Sequence, residues 1–161
     1  MKVLRFLKNN KQFTVFLLLA LAIAAIAVFA PWIAPRDPYD AVMSDSLKEP
    51  GSTYVWGTDK LGRDVLSRVI YGTRSSLTMT LCLVAVIFVV GTALGILAGY
   101  FGGAVDAVIM RIADMMISFP GLVLAIAIAG LLGPNMVNAV IAISAVSWTK
   151  YARLARSMVL K

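Results

Sequence analysis

The sequence is poor in the residues on which soluble enzymes and metal sites most often depend. It has no histidine, a single cysteine, Cys82, and only 14% charged residues among 161. One cysteine without histidine supplies neither a disulfide nor the usual zinc ligands. The commonest general base is also missing, which argues against an enzyme. The sequence therefore predicts no catalytic residue and no metal site.

Apolar residues make up 60% of the chain. Soluble domains are roughly half apolar and about a quarter charged, so a soluble fold of this size cannot hide so much apolar surface. Lipid must cover part of it. The sequence thus predicts an all-α fold, a polytopic membrane helix bundle with about four transmembrane helices.

The apolar segments define the organisation of this bundle. A loop at 34–75, rich in proline and acidic residues, separates the first two spans. Within it, apolar residues at helical spacing predict an amphipathic helix over 59–72, capped by Thr58 or Asp59 and lying at the membrane surface or on other loops. The predicted transmembrane helices are residues 13–33, 76–98, 104–132 and 135–151.

Basic residues concentrate at both chain ends, in the segment 1–12 and from Lys150 onward. The loop at 34–75 has a much lower density of lysine and arginine. An even number of spans places both ends on one side, and the positive-inside rule makes that side cytoplasmic. The sequence therefore predicts a multi-pass cell-membrane protein with cytoplasmic termini. The net charge of +7 reflects these flanks and does not predict nucleic-acid binding.

Three glycines, Gly91, Gly95 and Gly99, recur at every fourth position of the second predicted span. Small residues at this spacing line one helix face and let another helix approach closely. We expect helix packing, not substrate contact, at this face.

The third predicted span carries two charges and a proline. Arg111 and Asp114 are three residues apart, which is close enough on a helix to form an intramembrane ion pair. Pro120 interrupts the apolar part of the same helix and should bend it. We expect both features to be structural.

Several motifs occur in a fixed order that resembles one family. The most specific is Gly57-Thr58-Asp59-Lys60-Leu61-Gly62-Arg63-Asp64-Val65-Leu66-Ser67-Arg68. The others are Ala34-Pro35-Arg36-Asp37-Pro38-Tyr39, Tyr71-Gly72-Thr73-Arg74-Ser75-Ser76-Leu77, Ala98-Gly99-Tyr100-Phe101-Gly102-Gly103, Met110-Arg111-Ile112-Ala113-Asp114, Phe119-Pro120, Leu132-Gly133-Pro134 and Tyr151-Ala152-Arg153-Leu154. Together they resemble the second-type inner-membrane permease of dipeptide, oligopeptide and nickel ABC importers.

This resemblance implies a six-helix permease that pairs with a second homologous permease subunit. It implies two cytoplasmic ATP-binding subunits, which would carry ATP and Mg²⁺, and an extracytoplasmic substrate-binding protein. No nucleotide-binding loop occurs in this chain, so no cofactor is expected in it. Residues 152–161 would begin the cytoplasmic coupling region, whose Glu-Ala-Ala-type motif and two further spans would follow.

The resemblance leaves the substrate open among dipeptides, oligopeptides and nickel or its chelates, and no substrate-binding residue is predicted. Arg63, Asp64 and Arg68 are candidates for contacting the binding protein, or for closing a lid through their own ion pairs. One alternative is a structural or assembly membrane protein, or an inactive permease fragment. Another is a membrane-anchored enzyme using Asp59 and Asp64, whose neighbouring cations instead favour capping and surface pairing.

Overall fold

A computed structural model describes residues 9–160. Regular structure in this range is helical, apart from an isolated bridge between Thr58 and Asp64. This confirms the all-α fold class. The basic segment predicted at the N-terminus lies mostly outside the described residues. The helices are α1 (Lys11–Ile33), α2 (Val65–Phe101), α3 (Gly103–Ser118), α4 (Gly121–Leu132) and α5 (Met136–Val159), with a short 3-10 turn at Met43–Asp45.

The chain divides into two compact units, Met1–Thr78 and Met79–Lys161. The first unit contains α1, the connecting residues 34–64 (the outer loop) and the start of α2. The second contains the remainder of α2 with α3, α4 and α5.

Two of the helices, α1 and α2, are long and apolar enough to cross a membrane. The α3–α4 pair provides a third crossing if its two parts form one bent span. By the same criteria α5 does not qualify, since Lys150, Arg153 and Arg156 lie in its second half. The fourth span therefore remains a prediction.

Helix α1 follows the first predicted span closely, from Lys11 to Ile33. Its leucine, valine and phenylalanine side chains are largely exposed, as expected of a helix covered by lipid, and only Ala27 and Ala30 are buried. The helix ends where Ala34 adopts an extended conformation before a proline.

Helix α2 starts later than predicted and is continuous. The predicted amphipathic helix over 59–72 and the second span form one helix of 37 residues, which begins at Val65. Thr58 and Asp59 are not its caps. Gly62 breaks the backbone with a φ of +74°, and a Cβ there would collide with the carbonyl of Val42. The helix can therefore start only after this turn.

The third predicted span is broken at Phe119-Pro120 into α3 and α4, which meet at 94°. Proline lacks the N–H that would continue the helix, and its ring favours an extended residue before it. Phe119 accordingly has a ψ of 146°.

Helices α4 and α5 pack along each other as a hairpin. Asn135 caps α5, because its side chain accepts the Val137 N–H at 2.9 Å. The Asn138 amide donates to the Leu132 carbonyl at 2.7 Å and so closes the turn from the other side. Helix α5 extends well beyond the predicted 135–151 and ends at Val159, so residues 152–159 are helical.

Candidate functional site

Asp45 is the centre of a hydrogen-bond network in the outer loop. Its carboxylate accepts the Tyr54 hydroxyl at 2.5 Å and pairs with the Lys48 ammonium at 2.7 Å. The Thr58 hydroxyl donates to the Asp45 carbonyl and accepts the Lys48 backbone N–H at 2.8 Å. The hydrogen bonds from Lys48 and Tyr54 lower the pKa of Asp45, and the bond to Asp45 raises the pKa of Tyr54. The network ties the 3-10 turn to the approach to α2.

Asp59 forms ion pairs with two arginines. Its carboxylate lies 2.8 Å from an Arg63 guanidinium nitrogen and 3.0 Å from one of Arg68, and it accepts the backbone N–H of Leu61 at 2.8 Å. Partial burial acts to raise the pKa of Asp59. The hydrogen bonds from the side chain and backbone of Arg63 and from Leu61 outweigh it and lower that pKa from 3.8 to about 2. Asp59 is thus an anion held by two arginines and the loop backbone.

Asp64 is the N-cap of α2. Its carboxylate accepts the Ser67 backbone N–H at 2.8 Å and the Ser67 hydroxyl at 2.5 Å. The same hydroxyl accepts the Arg36 backbone N–H at 3.0 Å, and the Arg36 guanidinium lies 4.6 Å from the centre of the Tyr54 ring. The residues just after α1 are therefore fastened to the first turn of α2.

The three predicted docking residues differ in accessibility, and their contact with a binding protein stays a prediction. Asp64 is only 4% exposed and is occupied as a cap, so it is not available to an external protein. Arg63 is half-buried against Asp59, whereas the Arg68 side chain is 40% exposed. Of the three predicted contacts, Arg68 is the most accessible. The ion pairs also match the alternative of a loop held by its own charges.

The glycine face of α2 lies against α5. A Cβ on Gly91 would stand 2.6 Å from the Trp148 carbonyl oxygen, and one on Gly99 would stand 2.8 Å from the Val159 Cβ. A Cβ on Gly95 would meet the Ala152 carbonyl and, at 2.7 Å, the Ala155 Cβ. Each distance is too short for a real side chain. The three glycines therefore permit backbone-to-backbone approach of the two helices.

The predicted pair between Arg111 and Asp114 is not formed. Asp114 pairs instead with Arg153 of α5, and Asp106 forms a two-pronged pair with Arg156 of α5. Arg111 is exposed and makes no ion pair with any residue in the range 9–160. Residues three apart can pair on one helix, but a neighbouring helix with two arginines offered better geometry.

Sequence reasoning missed the role of α5 in both pairs. The positive-inside rule treats Arg153 and Arg156 as basic flanks of a span, whereas their partners lie 39 and 50 residues earlier. A usable signal was present: α3 has two acids, and α5 has basic residues three apart that can face it. Behind the pairs, Trp148 and Ala152 form a small core with Ala113, against which Leu94 and Met110 pack.

Comparison with known proteins now adds to this picture. The family described as binding-protein-dependent transport system inner membrane component matches residues 91–161. The N-terminal TM domain of oligopeptide transport permease C matches residues 2–50. The chain is 39% identical over 158 residues to the dipeptide transport system permease protein of Haemophilus influenzae, covering 94% of this chain.

The chain is thus similar to binding-protein-dependent transport permeases in two separate segments, residues 2–50 and 91–161. It is also 44% identical over 133 residues to a probable D,D-dipeptide transport system permease protein and 36% identical over 155 residues to the nickel transport system permease protein, both of Escherichia coli. These matches cover 83% and 96% of the chain. The chain spans about half the length of these relatives, namely 54%, 45% and 56%. The sequence resemblance to this permease family is thereby confirmed.

The relatives are named as transport permeases and not as enzymes. The acid pair considered for an enzyme, Asp59 and Asp64, is engaged in an arginine cluster and a helix cap. Across residues 9–160, no three histidine, cysteine or acidic side chains come together as metal ligands.

Proposed function

We propose that this permease chain forms part of the translocation pathway of an ATP-driven, binding-protein-dependent importer for small peptides or nickel complexes. The observation that carries the proposal is the match to dipeptide, D,D-dipeptide and nickel permeases over most of the chain. A second permease subunit completes the pathway. Two ATP-binding subunits hydrolyse ATP with Mg²⁺, and an external binding protein delivers the substrate.

The proposed mechanism is alternating access, in which packed helix groups rock so that a cavity opens to one side and then the other. The tight α2–α5 contact at the three glycines supports such a rigid group. The break at Pro120 supplies a junction at which α4 departs from α3. Movement would then be concentrated between helix groups and not within them.

The proposed orientation places both chain ends in the cytoplasm and the outer loop on the external face of the cell membrane. The basic residues at both ends support this orientation. An external loop would meet the binding protein, and Arg68, at the entrance of α2, is the most accessible of the candidate contacts. Its neighbour Arg63 would hold Asp59 in place behind it.

The decisive experiment is uptake by a strain that lacks the chromosomal permease gene. Restoring the gene should restore uptake of labelled dipeptide or nickel, and the purified chain should bring down a second permease and ATP-binding subunits.

A matched pair of variants controls for folding. Gly95→Leu should abolish uptake, because it separates α2 from α5, whereas Gly130→Leu should not, because nothing lies within 4 Å of Gly130. A chain that accumulates in membranes without partners and without uptake would support the structural or assembly role instead.

A further inference from the structure

A cavity of about 430 Å³ lies within the second unit, beside the break at Pro120. The end of α3, the first turns of α4 and the middle of α5 line it. The sharp bend creates this space, because α4 leaves the axis of α3 and packs along α5 instead. Gly121 keeps the entrance of α4 close to α5, since a Cβ there would stand 3.3 Å from a methyl carbon of Val146.

The lining is apolar except along α5. Met116, Leu122 and Ile143 contribute apolar wall, and the polar lining residues are Ser147, Thr149 and Lys150. Apolar walls with a few placed polar groups, and a volume of about 300–1,000 Å³, are typical of small-molecule sites.

Lys150 has no counter-charge among the residues that the structure describes. It is exposed, and no carboxylate between residues 9 and 160 forms an ion pair with it. The two acids of α3 are already committed, Asp106 to Arg156 and Asp114 to Arg153. A lone ammonium beside an apolar cavity in a membrane protein requires an anion or water. Helix α5 therefore places a positive charge next to an apolar wall.

We propose that this cavity is a substrate subsite of the pathway, in which Lys150 and Ser147 bind the carboxylate of a small peptide and the apolar wall receives its side chain. The inference rests on the proposed transport function and specifies where a peptide is held during passage. Charge complementarity identifies the occupant. A phospholipid would satisfy the ammonium, but its two acyl chains greatly exceed the cavity.

Cysteine accessibility tests this subsite in the assembled transporter. In a Cys82→Ser background, Ser147→Cys introduces a thiol inside the cavity, and Ile141→Cys introduces one on an exposed part of α5 that does not line it. An anionic and a cationic methanethiosulfonate reagent are applied to each variant in nanodiscs. We expect the Ser147→Cys thiol to react, to prefer the anionic reagent several-fold, and to be protected by millimolar dipeptide. The Ile141→Cys thiol should be unaffected by dipeptide.

Substitutions of Lys150 test whether its positive charge binds the dipeptide. In the Ser147→Cys variant, adding Lys150→Gln should remove both the preference for the anionic reagent and the protection by dipeptide. Adding Lys150→Arg should retain both. Protection that persists in Lys150→Gln would overturn the inference, as would a Ser147→Cys thiol that no reagent reaches, because another helix would then fill the cavity. Protection by anionic lipid in the nanodisc without any dipeptide would assign the site to a headgroup and also overturn it.

Failure of the subsite proposal can be distinguished from failure of the proposed transport function. Uptake by the Cys82→Ser chain is measured in parallel. Uptake without protection at position 147 would reject the subsite and leave the transporter assignment intact. Protection without uptake would show that the cavity binds dipeptide, but it would reject the transport assignment and with it the role of the cavity in a pathway.

Discussion

Arg156 donates two hydrogen bonds to the carboxylate of Asp106, which lies 50 residues earlier in the chain, and so fastens the last turns of α5 to the first turn of α3. Both side chains are partly shielded, with 34% and 19% of their surface exposed. The neighbouring pair of Arg153 and Asp114 is more open, at 47% and 57%. The two pairs therefore offer a matched comparison of the same chemistry at different burial.

A double-mutant cycle should give a larger coupling free energy for Arg156 with Asp106 than for Arg153 with Asp114. Two parallel charge-assisted hydrogen bonds in a shielded site are stronger than one in an exposed site, for which about 0–1 kcal/mol is typical. Alanine variants of each residue and each pair are compared by equilibrium unfolding in mixed micelles. Equal couplings would show that the shielding has no energetic effect.

The glycine face of α2 should tolerate no added methyl group at its centre. Gly95→Ala would push a Cβ into the Ala152 carbonyl and the Ala155 side chain, and overpacking of this kind costs about 1–3 kcal/mol. Gly130→Ala is the control, because nothing lies near it, and the gain in helix propensity is up to about 1 kcal/mol. Unfolding in mixed micelles measures both. The expectation fails if the two variants shift stability in the same direction.

Local sequence patterns predict the position of individual helices and the presence of a close helix contact. Apolar length located α1 within two residues at its start, and the spacing of Gly91, Gly95 and Gly99 indicated a close helix contact. Neither pattern identifies the helix that is contacted, because the identity of this helix depends on which segments meet in three dimensions. The same limit explains Asp114, for which sequence spacing suggested Arg111 and the structure supplies Arg153.

The start of α2 shows a different limit. Thr58, Asp59 and Asp64 are all residue types that cap helices, so composition alone could not choose among them. Between these candidates lies Gly62, which has a positive φ and has no room for a Cβ beside the Val42 carbonyl. That contact belongs to the folded loop and not to the local sequence.

Asp64 should contribute to stability and not to docking. Asp64→Ala removes the N-cap of α2 and should cost about 0.5–2 kcal/mol, whereas Asp64→Asn keeps a cap acceptor and should cost less. Neither variant should change affinity for the external binding protein once folded, while Arg68→Glu should weaken it. Binding to the purified complex by biolayer interferometry measures this. Weakened docking by a fully folded Asp64→Asn complex would return Asp64 to the contact surface.

The outer loop should lose its order in acid. The pKa of Asp59 is lowered to about 2 in the folded loop from 3.8, so its stabilising effect is complete above pH 3.8 and is lost as pH falls toward 2. Limited pepsin digestion across this range, with cleavage sites assigned by mass spectrometry, should show cleavage in the outer loop rising as pH falls. Asp59→Asn cannot titrate there, so its loop should be cleaved even at the upper end of the range.

The number of crossings decides whether the two chain ends share a side of the membrane. Helices α1 and α2 are long and apolar enough to cross, and the bent α3–α4 pair adds a third crossing if it is one span. With α5 as a fourth span, both ends face the cytoplasm, and a reporter in the turn at 133–135 faces outward. If α5 does not cross, the ends lie on opposite sides. We expect the four-span arrangement, because the basic residues of α5 concentrate in its second half, where a crossing would deliver them to the cytoplasm. Paired phosphatase and fluorescent-protein fusions at residue 134 and after Lys161 measure it. An inactive phosphatase at residue 134, or an active one after Lys161, would contradict the expectation.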